Sequence, residues 1–188
     1  NTYMKYLKFS LCVCLFISFS ILAQTKEISL DDIWSGAFRT ERIDALHSMK
    51  NGQQYSVLNF DRATRSTLID IYDYKTLNKV ETLVSSSSIP ELNYFTDYTF
   101  SDNEQEVLLA TEEESIYRRS SLAYYYVYDV NNKTISKVSD YKIQEPTFSP
   151  DGSKIAYVFE NNLYVKDLAS GSTQQITFDG EKNKIING

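Results

Sequence analysis

The 188-residue chain is 42% apolar, 23% charged and 14% aromatic, and its net charge is −6. Fifteen Tyr and ten Phe against six Gly and three Pro exclude disordered, collagen-like and proline-rich classes. The acidic balance excludes nucleic acid as the main partner, since phosphate binding needs clustered Lys and Arg, and one His with two Cys leaves too few ligands for a metal centre.

Residues 1–23 have the form of a secretory signal. Met4 is the expected start, with Asn1 to Tyr3 as upstream read-through or the edge of a fragment. Lys5 and Lys8 form a basic region, Phe9 to Leu22 carry no charge, and Ala23 is a small residue at a cleavage point. An uncleaved anchor is the alternative, although the apolar run falls short of the ~20 residues that span a bilayer. The pattern predicts an exported protein, periplasmic, secreted or at the cell surface. Cys12 and Cys14 both lie in this segment, so the remainder folds without disulfides.

Residues 24–45 form a lead-in with one short helix over Ser29 to Gly36 (SLDDIWSG). Ser29 is placed to cap it, Asp32 completes a capping box, and Gly36 can take the left-handed conformation that ends it. From residue 46 to 188 the recurring element is the strand. Tyr55–Phe60, Thr67–Tyr72, Val80–Val84, Val107–Ala110, Tyr124–Val130, Thr134–Val138, Ile155–Phe159, Leu163–Lys166 and Gln175–Phe178 are rich in β-branched and aromatic residues, with short polar turns between them.

These strands repeat. FSPDG at Phe148 precedes IAYV, a tight turn and LYVKDL. FSDNE at Phe100 precedes VLLA, a longer excursion and YYVYDV, and a weaker copy runs from Met49 through YSVL to LIDIYDY. A spacing of 48 residues from Phe100 to Phe148, with four strands per unit, predicts an all-β partial β-propeller of two to three four-stranded blades. A β-sandwich shares the short strands and frequent turns, but the repeated FSPDG-type turn favours the propeller. Two units are complete in this reading and a third nearly so. The chain stops at Ile185 to Gly188 where another strand should follow, which reads as C-terminal truncation.

Catalytic chemistry is sparse. The only His is His47, expected in packing or at the surface, and no G-x-S-x-G elbow is present. No calcium loop or phosphate-binding glycine loop appears, so neither cofactor nor metal is expected. Asn132-Lys133-Thr134 matches the N-glycosylation triplet in a predicted hairpin. The polar stretch Thr111 to Ser121 (TEEESIYRRSS) interrupts the second repeat, whereas the third has only Glu160-Asn161-Asn162 there. Taken as residues alone, it is a solvated charged loop or an extended hairpin reaching across a propeller face.

Several segments together resemble the N-terminal β-propeller region of bacterial dipeptidyl peptidase IV, a serine peptidase of the prolyl oligopeptidase clan. They are ISLDDIWSGAFRTER from Ile28, SMKNGQQYSVL from Ser48, IYRRSSLAYYYVYD from Ile116, FSPDGSKIAYVFENNLYVKDL from Phe148 and the terminal QITFDGEKNKIING. The resemblance implies an eight-bladed propeller capping a C-terminal α/β-hydrolase domain, with peptides bound between them by their free N-terminus and shortened by X-Pro or X-Ala dipeptides. It implies that Arg118 is a substrate-binding residue, hydrogen-bonding a substrate backbone carbonyl, with Arg119 the neighbour if the register is off by one. It assigns no catalytic residue to this chain: the triad and the amine-binding glutamate pair fall beyond Gly188, and Glu112, Glu113 and Glu114 are not that pair. These residues alone are expected to be inactive, and a homodimer is compatible with the parent. The alternative is a non-enzymatic exported propeller that binds peptides or glycans.

Overall fold

Ser29 begins the first described element by satisfying backbone groups that a helix start leaves open. Its hydroxyl accepts the Asp32 N–H and the Asp32 carboxylate accepts the Ser29 N–H, both at 3.1 Å, which is the expected capping box. Helix α1 spans Leu30–Trp34. It closes with the Ala37 N–H on the Asp32 carbonyl and the Gly36 N–H on the Ile33 carbonyl, a Schellman motif. Gly36 takes φ 76°, where a side chain would be strained.

The structure is a computed structural model that describes residues 28–39, 45–118 and 120–188. The chain divides into two units at residues 43 and 44, with α1 in the first and every strand in the second. Segment 1–23, read above as a secretory signal and carrying Cys12 and Cys14, lies outside the described residues, as does Arg119.

Among the described residues twelve strands make three four-stranded antiparallel sheets. The first blade holds β1 Leu46–Ser48, β2 Gln54–Asp61, β3 Ser66–Asp73 and β4 Lys79–Ser85. The second holds β5 Asp97–Phe100, β6 Glu106–Tyr117, β7 Ser120–Asp129 and β8 Thr134–Lys137. The third holds β9 Gln144–Phe148, β10 Lys154–Phe159, β11 Asn162–Asp167 and β12 Thr173–Gln175. Each sheet is a meander, with neighbours in sequence paired in space. The fold is an all-β partial propeller with three complete blades, one more complete unit than the sequence suggested. The additional strands are the short β1, β5 and β9, which carry His47, Thr99 and Pro146 rather than an apolar run. The last strand also shifts, from the expected 175–178 to Thr173–Gln175. There the Thr177 hydroxyl takes the Leu163 N–H, so a side chain replaces the ladder.

Two turns recur in all three blades and explain the repeat. Between the first and second strands, Asn51, Asn103 and Asp151 each accept the N–H two residues on, at 2.9, 3.0 and 3.1 Å. The next residue is left-handed in each case: Gly52, Glu104 and Gly152. Between the third and fourth strands, Asp73, Asp129 and Asp167 accept the N–H groups of Thr76, Asn132 and Ser170. Their carbonyls accept Leu77, Lys133 and Gly171, again all left-handed. Asn132 of the glycosylation triplet sits exposed in the second of these turns.

The second blade is covered on both faces. Strand alternation sends Val107, Leu109 and Tyr128 into a cluster with Ile69, Val84, Leu92 and Phe95 from the first blade side. Leu108 and Val127 point the other way, onto Ile143, Ile155 and Tyr157 of the third. Tyr124, Tyr125 and Tyr126 are accordingly half-buried and Val127 is buried, so both faces of this aromatic strand are packed. At ~25 cal/mol per Å² of apolar surface removed from water, such inter-blade clusters are the main stabilising term among the described residues, which contain no cysteine.

Candidate functional site

The first strands of the blades converge. His47 and Ser48 of β1, Thr99 and Phe100 of β5, and Pro146 to Phe148 of β9 line one cleft of about 770 Å³, which marks them as the inner strands. His47 packs its ring 4.9 Å from that of Tyr98, whose hydroxyl shares a buried 2.8 Å hydrogen bond with Ser56. His47 is itself exposed, so it stands at the surface with its ring against Tyr98, within the packing or surface role expected of it. Among the described residues no group of three or more His, Cys, Asp and Glu is placed to hold a metal ion.

The polar interruption Thr111 to Ser121 is strand rather than loop. Strand β6 continues to Tyr117, and β7 starts at Ser120. Pairing runs Thr111 with Tyr124, Glu114 with Leu122, Ser115 with Ser121 and Tyr117 with Ser120. Between the first two pairs β6 advances three residues against two, and between the last two it advances two against one. These are two bulges, each with one extra residue on β6, and they bend the hairpin and increase its twist. Glu112 sits in the first at φ 52°.

Arg118 occupies the turn that closes this hairpin and is exposed. Tyr117 beside it is 74% exposed, and Glu112 to Glu114 are exposed as well. The three glutamates are not uniformly solvated, because Glu114 is ion-paired with Lys142. The reading of Arg119 as the alternative residue lies outside the described residues.

At the foot of the hairpin lies a cavity of about 160 Å³, with Asp97, Ser121, Tyr125 and Glu145 among its walls. Its chemistry is anionic. Burial pushes the Tyr125 phenol up to about 12, and the charges of Glu113, Asp97 and Glu145 push the same way. Sequence reasoning passed over this pocket, since its carboxylates, Asp97 and Glu145, come from β5 and β9, far apart in the chain.

Comparison with known proteins places this architecture. Residues 101–188 match the family model described as the dipeptidyl peptidase IV (DPP IV) N-terminal region. Over these residues the chain is similar to that region. The resemblance to its N-terminal propeller, drawn from scattered motifs, is borne out. Porphyromonas gingivalis dipeptidyl peptidase 4 superposes on 84% of this chain with a TM-score of 0.72 and 34% identity, covering 23% of that structure. Human prolyl endopeptidase FAP is 32% identical over 165 residues, 87% of this chain and 20% of its own length. Cat dipeptidyl peptidase 4 is 38% identical over 96 residues, 49% of this chain and 12% of its own. The chain thus spans about a fifth or less of the curated relatives' length.

Proposed function

We propose that this chain is the propeller portion of an exported serine-type dipeptidyl peptidase, which admits peptides and binds them by their N-terminal end while a C-terminal hydrolase domain removes X-Pro or X-Ala dipeptides. The relatives are named as peptidases, and the likeness to Porphyromonas gingivalis dipeptidyl peptidase 4 extends over most of the chain. The observation that carries the reading to a residue is the long, twice-bulged hairpin with Arg118 exposed at its turn. A guanidinium there offers a fixed fork of donors to a backbone carbonyl at any working pH.

The test is kcat/KM of the complete parent enzyme on one dipeptide substrate. A charge-assisted hydrogen bond contributes roughly 1.5–3 kcal/mol, so Arg118→Ala is expected to lower kcat/KM about 10- to 150-fold at ~1.4 kcal/mol per decade. Arg118→Lys should rescue little, because an ammonium does not reproduce the fork. Near-wild-type activity for Arg118→Ala overturns the role, and a large loss only at Arg119→Ala moves it by one residue. Peptide binding by a protein that never hydrolyses would favour the non-enzymatic reading.

A further inference from the structure

The arm that carries Arg118 has little to hold it. From Glu112 to Tyr117 every residue of β6 is exposed, so little burial fixes that side of the hairpin beyond Thr111. Two bulges have also loosened its ladder. What ties the arm down comes from the segment between the second and third blades. Ala123 and Ile143 form an antiparallel bridge, with hydrogen bonds of 3.2 and 2.9 Å, and both are fully buried. That bridge anchors the residue next to Ile143, and this neighbour is Lys142.

Lys142 reaches from the anchor onto the arm. Its ammonium pairs with Glu114 and lies 5.5 Å from the centre of the Tyr124 ring, which Lys137 also approaches at 4.2 Å. The Lys142 side chain is only 18% exposed although Glu114 is 66% exposed, so the lysine is the fixed partner and the glutamate the tethered one. Among the described residues this is the only ion pair made by the extended part of the hairpin. Glu114 is the first paired residue after the first bulge and lies four residues before Arg118. The ammonium is held charged well into alkaline conditions, mainly by its hydrogen bond to Glu114.

We propose that Lys142 and Glu114 are positioning residues, a charged brace that fixes the bent hairpin and thereby sets where Arg118 stands. Its consequence for activity rests on the reading of Arg118 as a substrate contact, whereas its effect on the arm does not. An exposed ion pair by itself stabilises little. Here it acts at a point the ladder leaves free, so a small local energy controls the place of the guanidinium.

The experiment uses the complete parent enzyme in six forms: Lys142→Glu, Lys142→Met, Glu114→Lys, the double swap, Arg118→Ala, and Lys142→Glu with Arg118→Ala. Three quantities are read: kcat/KM, the melting temperature, and the rate of tryptic nicking at the Arg118 turn. Lys142→Glu is expected to lower kcat/KM about 2- to 10-fold, the range that loss and reversal of such a pair allows. It should leave the melting temperature in place and speed nicking. The double swap should restore both rates to within about 2-fold, and on an Arg118→Ala background Lys142→Glu should cost nothing further. An equal loss on that background, or no faster nicking in Lys142→Glu and Lys142→Met alike, overturns the brace. If Arg118→Ala is itself silent but nicking follows the charge swap, the brace stands and the substrate-contact reading fails.

Discussion

The second and third blades are built on one plan and differ at their central hairpins. Both open with the same side-chain-held turn, both close with the same Asp-held turn, and their second strands begin 48 residues apart. In the third blade Glu160 and Asn161 turn the chain directly, with Phe159 paired to Asn162. The C-terminal segment then folds over that turn: the Asn187 N–H donates to the Asn161 carbonyl, and Gly180 sits where an added Cβ would be 2.4 Å from that oxygen. In the second blade the corresponding strands run on past Thr111 through two bulges to Arg118, and every residue of β6 from Glu112 to Tyr117 is exposed. Where a blade only has to pack, its turns are short and covered. The extension is polar, exposed and costly in ordering entropy, so it serves something other than the core.

The sharpest way to break this contrast is to convert one hairpin into the other. Replacing residues 112–121 of the complete parent enzyme by the Glu-Asn turn of the third blade should leave the fold intact, because the buried residues of β6 and β7 lie outside the excised part, at 107–111 and at 123, 127 and 128. kcat/KM should fall at least as far as for Arg118→Ala, about 10- to 150-fold or more. Full activity in a well-folded variant would show that the extension is a surface embellishment. The same logic applies to these 188 residues expressed alone, which are expected to show no turnover of a Gly-Pro amide. Turnover abolished by a serine-directed inhibitor would contradict that.

Much of this plan was legible in the residue order. The middle strands announce themselves by β-branched and aromatic runs, and the helix by Ser29, Asp32 and Gly36. The inner strands were not visible: Leu46–Ser48 is too short for alternation to register, and Gln144–Phe148 contains a proline that reads as a breaker. Nor could composition tell that Tyr124 to Val127 lie in a sheet covered on both faces, since that depends on which blades flank them. At the site, Arg118 was found through motif resemblance alone. The Lys142–Glu114 pair was invisible because its partners are 28 residues apart and are brought together only by the Ala123–Ile143 bridge.

A second comparison concerns the turn at the opposite ends of the same strands. Gly52 and Gly152 stand left-handed in the first and third blades, but the second has Glu104 at φ 57°. A side chain there costs about 1–2 kcal/mol, and Glu104 offsets this by accepting the Lys50 N–H from the neighbouring turn at 2.7 Å. Beside it the Lys50 ammonium pairs with Asp102 at 2.6 Å. Gly152→Ala should therefore destabilise by about 1–2 kcal/mol, with nothing gained in return. Its Cβ would also stand 3.1 Å from the Glu106 carboxylate. Glu104→Gly should change stability by less than half of that, since the relieved strain and the lost inter-blade hydrogen bond oppose each other. Denaturant midpoints of the two variants decide it, and equal losses would mean that the two turns are not equivalent.

The smallest expected effect lies one residue earlier in that turn. Asn51 and Asn103 hold it in the first and second blades, and Asp151 holds it in the third. The carboxylate of Asp151 is drawn down to about 2, first by the Ser149 hydroxyl and then by the Ser153 N–H and hydroxyl. A folded value below the ordinary ~3.9 of an unfolded Asp means that the ionised form favours the fold. That contribution is fully present above about pH 4 and drains away as pH falls from about 4 towards 2. An asparagine in its place would keep the accepting oxygen and remove the titration, which makes the third turn like the second. Asp151→Asn should thus be nearly silent at pH 7. Hydrogen exchange of the Ser153 and Lys154 amides, which donate to Asp151 and Ser149, reads the turn locally. Between pH 6 and pH 2.5 their protection should drop in the wild type and stay level in Asp151→Asn, while the matching amides of Gln105 and Glu106 stay level in both. A parallel drop at all four amides would place the acid sensitivity in the blades as a whole and not in the one carboxylate that distinguishes this turn.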